Sequence, residues 1–279
     1  MTTLNHKTRQ WSYFSLYFIW IALFVIAPVA LIIYQSFFGL DHQLTLANYK
    51  NYLSSAVYLK MTLNSFVYAF LITLITLVIS YPTAYFLTKL KHRQLWILLI
   101  ILPTWINLLL KAYAFIGIFS QTGAVNHFLT FMGIGPQQIL FTNTSFVLVA
   151  AYIQIPFMIL PIYNSLVDID PAVIQASHDL GANNFQTLWR VIFPISINGV
   201  RSGVQAVFIP SLSLFMITRL IGGNRVITLG TAIEEHFLTT MNWGMGSTIG
   251  VILILIMFLT MTLTSGTRKA GTRKNHGKA

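Results

Sequence analysis

Residues 166–196 read LVDIDPAVIQASHDLGANNFQTLWRVIFPIS and form a polar connection between two apolar stretches. Asp170 and Pro171 favour a helix start, because Asp is a good N-cap and Pro fits the first helical position. The residues that follow carry an apolar stripe at i, i+3 and i+7, and Gly181 offers the left-handed conformation that ends a helix. A second short helix is predicted over 185–192. Two such helices joined at a glycine suit either a partner's groove or the lipid surface.

Outward from this connection, the chain consists mainly of apolar stretches. Of its 279 residues, 56% are hydrophobic and 8% are charged, whereas a soluble domain has about 25% charged residues. Each stretch is long enough to cross the hydrocarbon core as a helix. We therefore expect an all-α polytopic membrane protein with one transmembrane domain over 1–279 and a cytoplasmic loop at 165–198. The six predicted spans are 13–36, 64–88, 95–119, 145–163, 199–220 and 247–264.

The distribution of Lys and Arg predicts the orientation. Eleven lie in the two tails and in the connections after the second and fourth spans, against three in the opposite connections. The positive-inside rule then places both termini in the cytoplasm. The same rule accounts for the net charge of +11, so we expect no nucleic-acid partner. The basic segment 268–278 follows the last span directly and is expected to contact anionic membrane lipid.

The chain has few of the residue patterns that carry catalysis. It has no cysteine, which excludes disulfides, thiolate metal sites and a cysteine nucleophile. Its seven histidines lack ligand spacing, and no HExxH, GxSxG or Walker sequence is present. No sequence resembles a channel filter either. We therefore expect no catalytic residue, no metal and no cofactor, with an intramembrane enzyme and a channel as the alternatives of another class.

The connection at 166–196 resembles the EAA loop of ABC-importer permeases. That pattern is Glu-Ala-Ala, three residues, Gly, nine residues, an aliphatic residue, one residue, and an apolar residue followed by Pro. Here Gln175-Ala176-Ser177, Gly181, Val191 and Phe193-Pro194 have the same spacing. Gln replaces Glu and Ser replaces Ala, so one charge of the family's loop is lost.

Further stretches resemble the permeases of spermidine/putrescine importers, and most of all their PotB type. The resemblance extends over nearly the whole chain. It departs from the family at Leu220 and its neighbour Arg219, where an acid usually stands and this chain has a cation. The similar stretches are SYPTAYFL (80–87), LPTWIN (102–107), DLGA (179–182), IGGN (221–224) and NWGMG (242–246).

This resemblance implies a multi-pass subunit of a bacterial inner-membrane importer with the MetI-like type I fold. Such a subunit has no ATPase activity of its own. Its partners would be a dimer of ATPase subunits, a second permease of the PotC type and an extracytoplasmic solute-binding protein. The coupling element that contacts the ATPase subunits would consist of Gln175, Ala176, Ser177, Asp179, Gly181 and Ala182.

A path for a polyamine favours aromatic faces and acids, because cation–π contacts suit ammonium groups. The candidates on the third span are Trp105, Asn107, Tyr113 and Phe115, and the candidate acids are Glu234 and Glu235. The alternative explanations of the same residues are an interfacial aromatic belt and a solvated helix face.

Two cations bear on the choice of solute. Lys111 and Arg219 fall in the outer halves of their predicted spans, where they either snorkel to the interface or line the path. Cations beside a polycation's route are unfavourable unless each pairs with a carboxylate, such as Glu234 or Glu235. Another small solute, anionic or of the phosphonate type, therefore stays open as an alternative.

Overall fold

The computed structural model describes residues 14–15, 17–41 and 43–264, which are helical nearly throughout. The predicted start of the first span at Tyr13 and the basic segment 268–278 lie outside the described residues. Within the described part, the helices are α1 (Tyr17–Ser36), α2 (Ala47–Ser54), α3 (Ala56–Lys89), α4 (Arg93–Ile101), α5 (Leu108–Phe119), α6 (Ala124–Phe131), α7 (Asn143–Val167), α8 (Pro171–Asp179), α9 (Asn184–Leu212), α10 (Met216–Gly222), α11 (Leu229–Glu234) and α12 (Trp243–Thr264).

Six helical segments of the described part are long and apolar enough to cross a membrane. This confirms the predicted all-α class and the predicted number of spans. The helices α3 and α12 begin at Ala56 and Trp243, earlier than the predicted span starts at 64 and 247. The six segments are Tyr17–Ser36, Ala56–Lys89, Leu108–Phe131, Asn143–Val167, Asn184–Leu212 and Trp243–Thr264.

The predicted third span, 95–119, is not one helix. It is divided into α4, a 3-10 turn at Leu102–Trp105, and α5. Pro103 has no amide hydrogen to continue the ladder, and Ile106 has extended backbone angles (φ −73°, ψ 135°). The Asn107 side chain then accepts a hydrogen bond from the Leu109 amide at 2.8 Å, at the start of α5. Hydropathy did not reveal this break, because apolar residues continue on both sides of it.

The predicted fifth span, 199–220, is also displaced along the chain. The helix α9 runs over Asn184–Leu212, so the short helix predicted at 185–192 is its beginning, and the loop predicted at 165–198 ends near Asn183. That residue caps α9, since its side chain accepts a hydrogen bond from the Gln186 amide at 2.8 Å and Gln186 reciprocates. The chain leaves the helix after Leu212 and resumes helical structure in α10.

The described chain divides into two compact units. The first comprises the residues up to Tyr68, Ile116–Phe146 and Leu212–Ile256. Its fully buried side chains include Phe146, Ile221 and Leu229, and the Phe146 ring meets Tyr68 edge-on at 5.4 Å.

The second unit comprises Ala69–Phe115, Val147–Ser211 and the residues from Met257. Its core includes the fully buried Ile72, Met158 and Val207. Small residues let α7 and α9 approach closely here, as is common between membrane helices. A Cβ atom added at Gly199 would overlap the Ser165 Cβ and lie 2.6 Å from the Pro161 carbonyl oxygen.

Gly199→Ala is therefore expected to force α7 and α9 apart and to destabilise the protein by about 1–3 kcal/mol, as overpacking does. The midpoint of thermal unfolding in detergent, followed by tryptophan fluorescence, measures this change. Gly117→Ala is the matched control, because a Cβ atom at Gly117 meets nothing within 4 Å. Equal midpoints for the two variants would contradict this account of the helix contact.

Candidate functional site

The connection between α7 and α9 contains the predicted helix α8. Its first turn is capped by Asp170, whose carboxylate accepts a hydrogen bond from the Ala172 amide at 2.9 Å. Its end is a Schellman motif, in which Gly181 donates to the His178 carbonyl at 2.8 Å and Ala182 donates to the Ser177 carbonyl at 3.0 Å. Gly181 has a φ of +83°, a conformation that other residues adopt only with strain.

The residues predicted for the coupling element differ in exposure. Gln175, Ala176, Asp179 and Gly181 are exposed, and Ala182 is half-buried. Ser177 is buried, and its hydroxyl lies 2.9 Å from that of Thr187 on α9. Ser177 therefore fastens α8 to α9 rather than facing outward. Thr187 was missed at the sequence level, since only the fold brings it against Ser177.

The apolar stripe of α8 is presented outward. Val173 and Ala176 are exposed, and Leu180 is 90% exposed. On the first turns of α9, Phe185 and Trp189 are also exposed. These five exposed apolar side chains are here called the α8 surface. Clusters of exposed apolar side chains are typical of contacts with a partner protein or with the membrane surface.

The first unit contains a cavity of about 550 Å³. Its walls come from the start of α3, from α10, and from α11 with the π-helical turn Glu235–Thr239 that follows. The volume lies within the usual range for small-ligand sites. The wall residues that carry the cavity's chemistry are Tyr58, Met61, Arg219, Ile227, Glu235 and His236.

Arg219 forms ion pairs with both predicted acids. Its Nη2 donates a hydrogen bond to Glu235 Oε2 at 2.8 Å, and its Nε lies 3.2 Å from Glu234 Oε2. The Arg219 and Glu235 side chains are each 45% exposed, whereas that of Glu234 is 16% exposed. Arg219 stands where the family usually has an acid, and it therefore has the carboxylate partners that a polycation's route requires. The two carboxylates and one guanidinium leave the cluster with one excess negative charge.

Two groups that sequence reasoning missed complete this wall. The Tyr58 hydroxyl and His236 Nε2 lie 2.9 Å apart. Burial lowers the pKa of His236 below its usual value, and the neighbouring Glu235 opposes this shift. His236 is therefore neutral at pH 7, and Arg219 supplies the positive charge of the cavity. The sequence signal for His236 was its place directly after the acidic pair.

Tyr58 is held in place by a second tyrosine. The Tyr52 ring stacks on it at 5.6 Å between ring centres, and the Tyr52 hydroxyl lies 2.6 Å from that of Thr62. Burial raises the pKa of Tyr52, although its hydrogen bond with Thr62 works against the shift.

The acidic pair is positioned by the start of α11. Thr228 caps this helix through a reciprocal arrangement with Thr231, and the Leu229 amide donates to Ser65 Oγ of α3 at 2.8 Å. Gly230 packs so closely on the backbone at Ser213 that an added Cβ atom would overlap its carbonyl oxygen. These contacts fix α11 against its neighbours and so direct Glu234 and Glu235 toward Arg219.

The other predicted path residues lie on the 3-10 turn, on α5 and on the connection between them. Trp105 is 75% exposed and Tyr113 is 59% exposed. Asn107 caps α5 as described above, and the Phe115 ring meets Tyr152 edge-on at 5.1 Å. Asn107 and Phe115 thus have structural contacts, while Trp105 and Tyr113 are open to their surroundings. In the described part of the chain, no group of three or more His, Cys, Asp or Glu residues is placed to hold a metal ion.

The fold is similar to that of solved ABC-transporter permeases. A chain in the crystal structure of a bacterial ABC transporter for import of the acidic polysaccharide alginate matches with a TM-score of 0.72. The match covers 92% of this chain and 96% of that chain at 14% identity. A chain of the alginate transporter in complex with its alginate-bound periplasmic protein matches with a TM-score of 0.74, over 92% and 93% of the two chains, also at 14% identity. These likenesses establish the fold, which is the predicted type I permease fold.

Sequence relatives identify the family, although no protein-family model matches the chain. The spermidine/putrescine transport system permease protein PotB of Haemophilus influenzae is 32% identical over 98% of this chain and 99% of its own length. The PotB protein of Escherichia coli is 35% identical over 86% of this chain and 90% of its own length. Agreement at this level over whole sequences, on a permease fold with six spans, confirms the resemblance: the chain belongs to the PotB family of spermidine/putrescine transport system permeases.

Proposed function

We propose that this chain is the permease subunit through which an ATP-driven importer moves spermidine or putrescine inward across the bacterial inner membrane. The identity of 32% with a PotB protein over 98% of the chain carries this proposal. The ion cluster beside the cavity supports it, because its two carboxylates, Glu234 and Glu235, outnumber Arg219 and favour a cation over an anionic solute.

The α8 surface is proposed as the site at which an ATPase dimer docks. Its apolar side chains are exposed, and two caps hold α8 in a fixed conformation, so little ordering entropy is lost on binding. Gln175, Ala176, Asp179, Gly181 and Ala182 would contact the ATPase dimer together with the α8 surface, and Ser177 would transmit movement to α9 through Thr187. Closure of the ATPase dimer would then draw the coupling helices of two permeases together and reorient the spans.

Two further partners complete the proposed importer. A second permease of the PotC type would pair with this chain in the membrane, and an extracytoplasmic binding protein would deliver the polyamine. A binding protein is supported by the alginate transporter of the same fold, whose structure contains a periplasmic protein with its sugar. Trp105, Asn107, Tyr113 and Phe115 stay candidates for the path, together with Glu234 and Glu235.

Uptake of labelled spermidine and putrescine tests the cargo. In cells without another polyamine transporter, deletion of the gene is expected to abolish uptake and the wild-type gene to restore it. Unchanged uptake in the deletion strain would contradict the polyamine assignment, while leaving the family and the fold in place.

A pair of glycines tests the docking site. Gly181→Trp is expected to place a bulky ring on the α8 surface and to reduce both uptake and copurification of the ATPase subunits by at least about tenfold, the effect of losing a hot-spot contact. Gly133→Trp is the matched control, because Gly133 also has a positive φ, of +79°, and open space around its Cβ position. Equal losses in the two variants, or normal copurification with Gly181→Trp, would contradict docking at α8.

The proposed orientation places both termini and α8 in the cytoplasm. Because the chain has no cysteine, one introduced cysteine is its only thiol. In intact cells, Gln137→Cys in the exposed connection before α7 is expected to react with a membrane-impermeant maleimide. His92→Cys, in the exposed turn before α4, is expected to react only after the membrane is permeabilised. The reverse labelling pattern would mean that the orientation is inverted.

A further inference from the structure

The ion cluster in the cavity has an arginine where a cationic cargo would bind. Arg219 forms ion pairs with the carboxylates of Glu234 and Glu235, and it lines the same cavity as Glu235. A guanidinium and an ammonium group recognise a carboxylate through the same charge and the same kind of N–H donor. A ligand ammonium would therefore compete with Arg219 for these acids.

The Arg219–Glu235 pair is weak enough to be displaced. Both side chains are 45% exposed, and an exposed pair of this kind shifts an equilibrium by no more than about fivefold. Arg219 also has a long, flexible side chain, so it can leave the carboxylates without movement of α10. Displacement would move the guanidinium toward solvent, where it is hydrated again.

The carboxylate of Glu234 is incompletely satisfied by Arg219. Its Oε2 is buried and lies 3.2 Å from Arg219 Nε, but the contact lacks hydrogen-bond geometry, and no other partner is present among the described residues. A buried carboxylate oxygen without a hydrogen bond is costly. Arg219 therefore leaves part of the negative charge of this pair uncompensated, directly beside the Glu235 carboxylate that lines the cavity.

The remaining walls suit an alkylammonium chain. Tyr58 presents an aromatic ring, which attracts cations, while Met61 and Ile227 supply apolar contacts for methylene groups. His236 on the same wall is neutral, so it does not repel a cation. The cavity of about 550 Å³ has room for one end of such a chain.

We propose that this cavity binds a terminal ammonium group of the cargo through Glu235, with the charge of Glu234 behind it, and that Arg219 is a tethered competitor that lowers the affinity of the cavity for this ammonium group. The inference rests on the proposed polyamine function and adds the site and the residue that sets its strength. A competitor within the chain keeps the cargo from being held so tightly that transport stalls.

The test compares the concentration dependence of labelled putrescine and spermidine uptake, at equal amounts of permease in the membrane and with the intact importer. Arg219→Gln frees the carboxylates and is expected to lower KM by about fivefold, the limit set by an exposed ion pair. Glu235→Gln removes a ligand and is expected to raise KM. Arg225→Gln is the matched control, because Arg225 is an exposed cation on the same connection and has no acidic partner within the described residues.

Opposite shifts in KM distinguish a competitor from a structural ion pair. A pair that only holds α10 to α11 predicts that Arg219→Gln and Glu235→Gln change KM in the same direction or lower the maximal rate together. That result would overturn the inference, and so would equal KM values for Arg219→Gln and Arg225→Gln. In either case, polyamine uptake by the wild-type importer would leave the proposed function intact. Absence of polyamine uptake by the wild-type importer would overturn both.

Discussion

Satisfaction of backbone hydrogen bonds is the constraint on which this structure depends. In hydrocarbon an unpaired amide or carbonyl finds no water, so the crossing segments are helices that pair these groups internally. Where a helix is interrupted, side chains replace the missing partners. Asn107 accepts from the Leu109 amide after one break, and the Thr218 and Thr228 hydroxyls both donate to the Leu214 carbonyl after another. Both breaks lie beside residues that can satisfy the backbone.

The break after Leu212 is what makes the ion cluster possible. It separates α10 from α9, so that Arg219 lies on a short helix of its own rather than in a continuous span. The chain then turns through α11, which Ser65 fixes by its hydrogen bond with the Leu229 amide. Glu234 and Glu235 thereby reach Arg219. One interruption of a helix thus converts a cation in an apolar stretch into part of a charged cavity wall.

The displaced start of α9 has a mechanical consequence. Because α9 is one continuous helix from Asn184 to Leu212, with a π-helical turn at Leu188–Ile192, the polar connection contains one short helix, α8. The hydrogen-bond contact between Ser177 and Thr187 joins α8 to this long helix. If an ATPase dimer docks at α8 as proposed, its movement would reach a spanning helix through this contact.

The amino-acid sequence by itself determined the class, the number of spans and the helix α8, because these follow from hydropathy, local caps and the spacing around Gly181. It did not determine where the helices break, since apolar residues continue through 102–107 and past Leu212. Nor could it pair Arg219 with Glu234 and Glu235, place Tyr58 beside His236, or bury Ser177 against Thr187. Those contacts join residues that are far apart in the chain, and only the tertiary packing of the helices brings them within hydrogen-bonding distance.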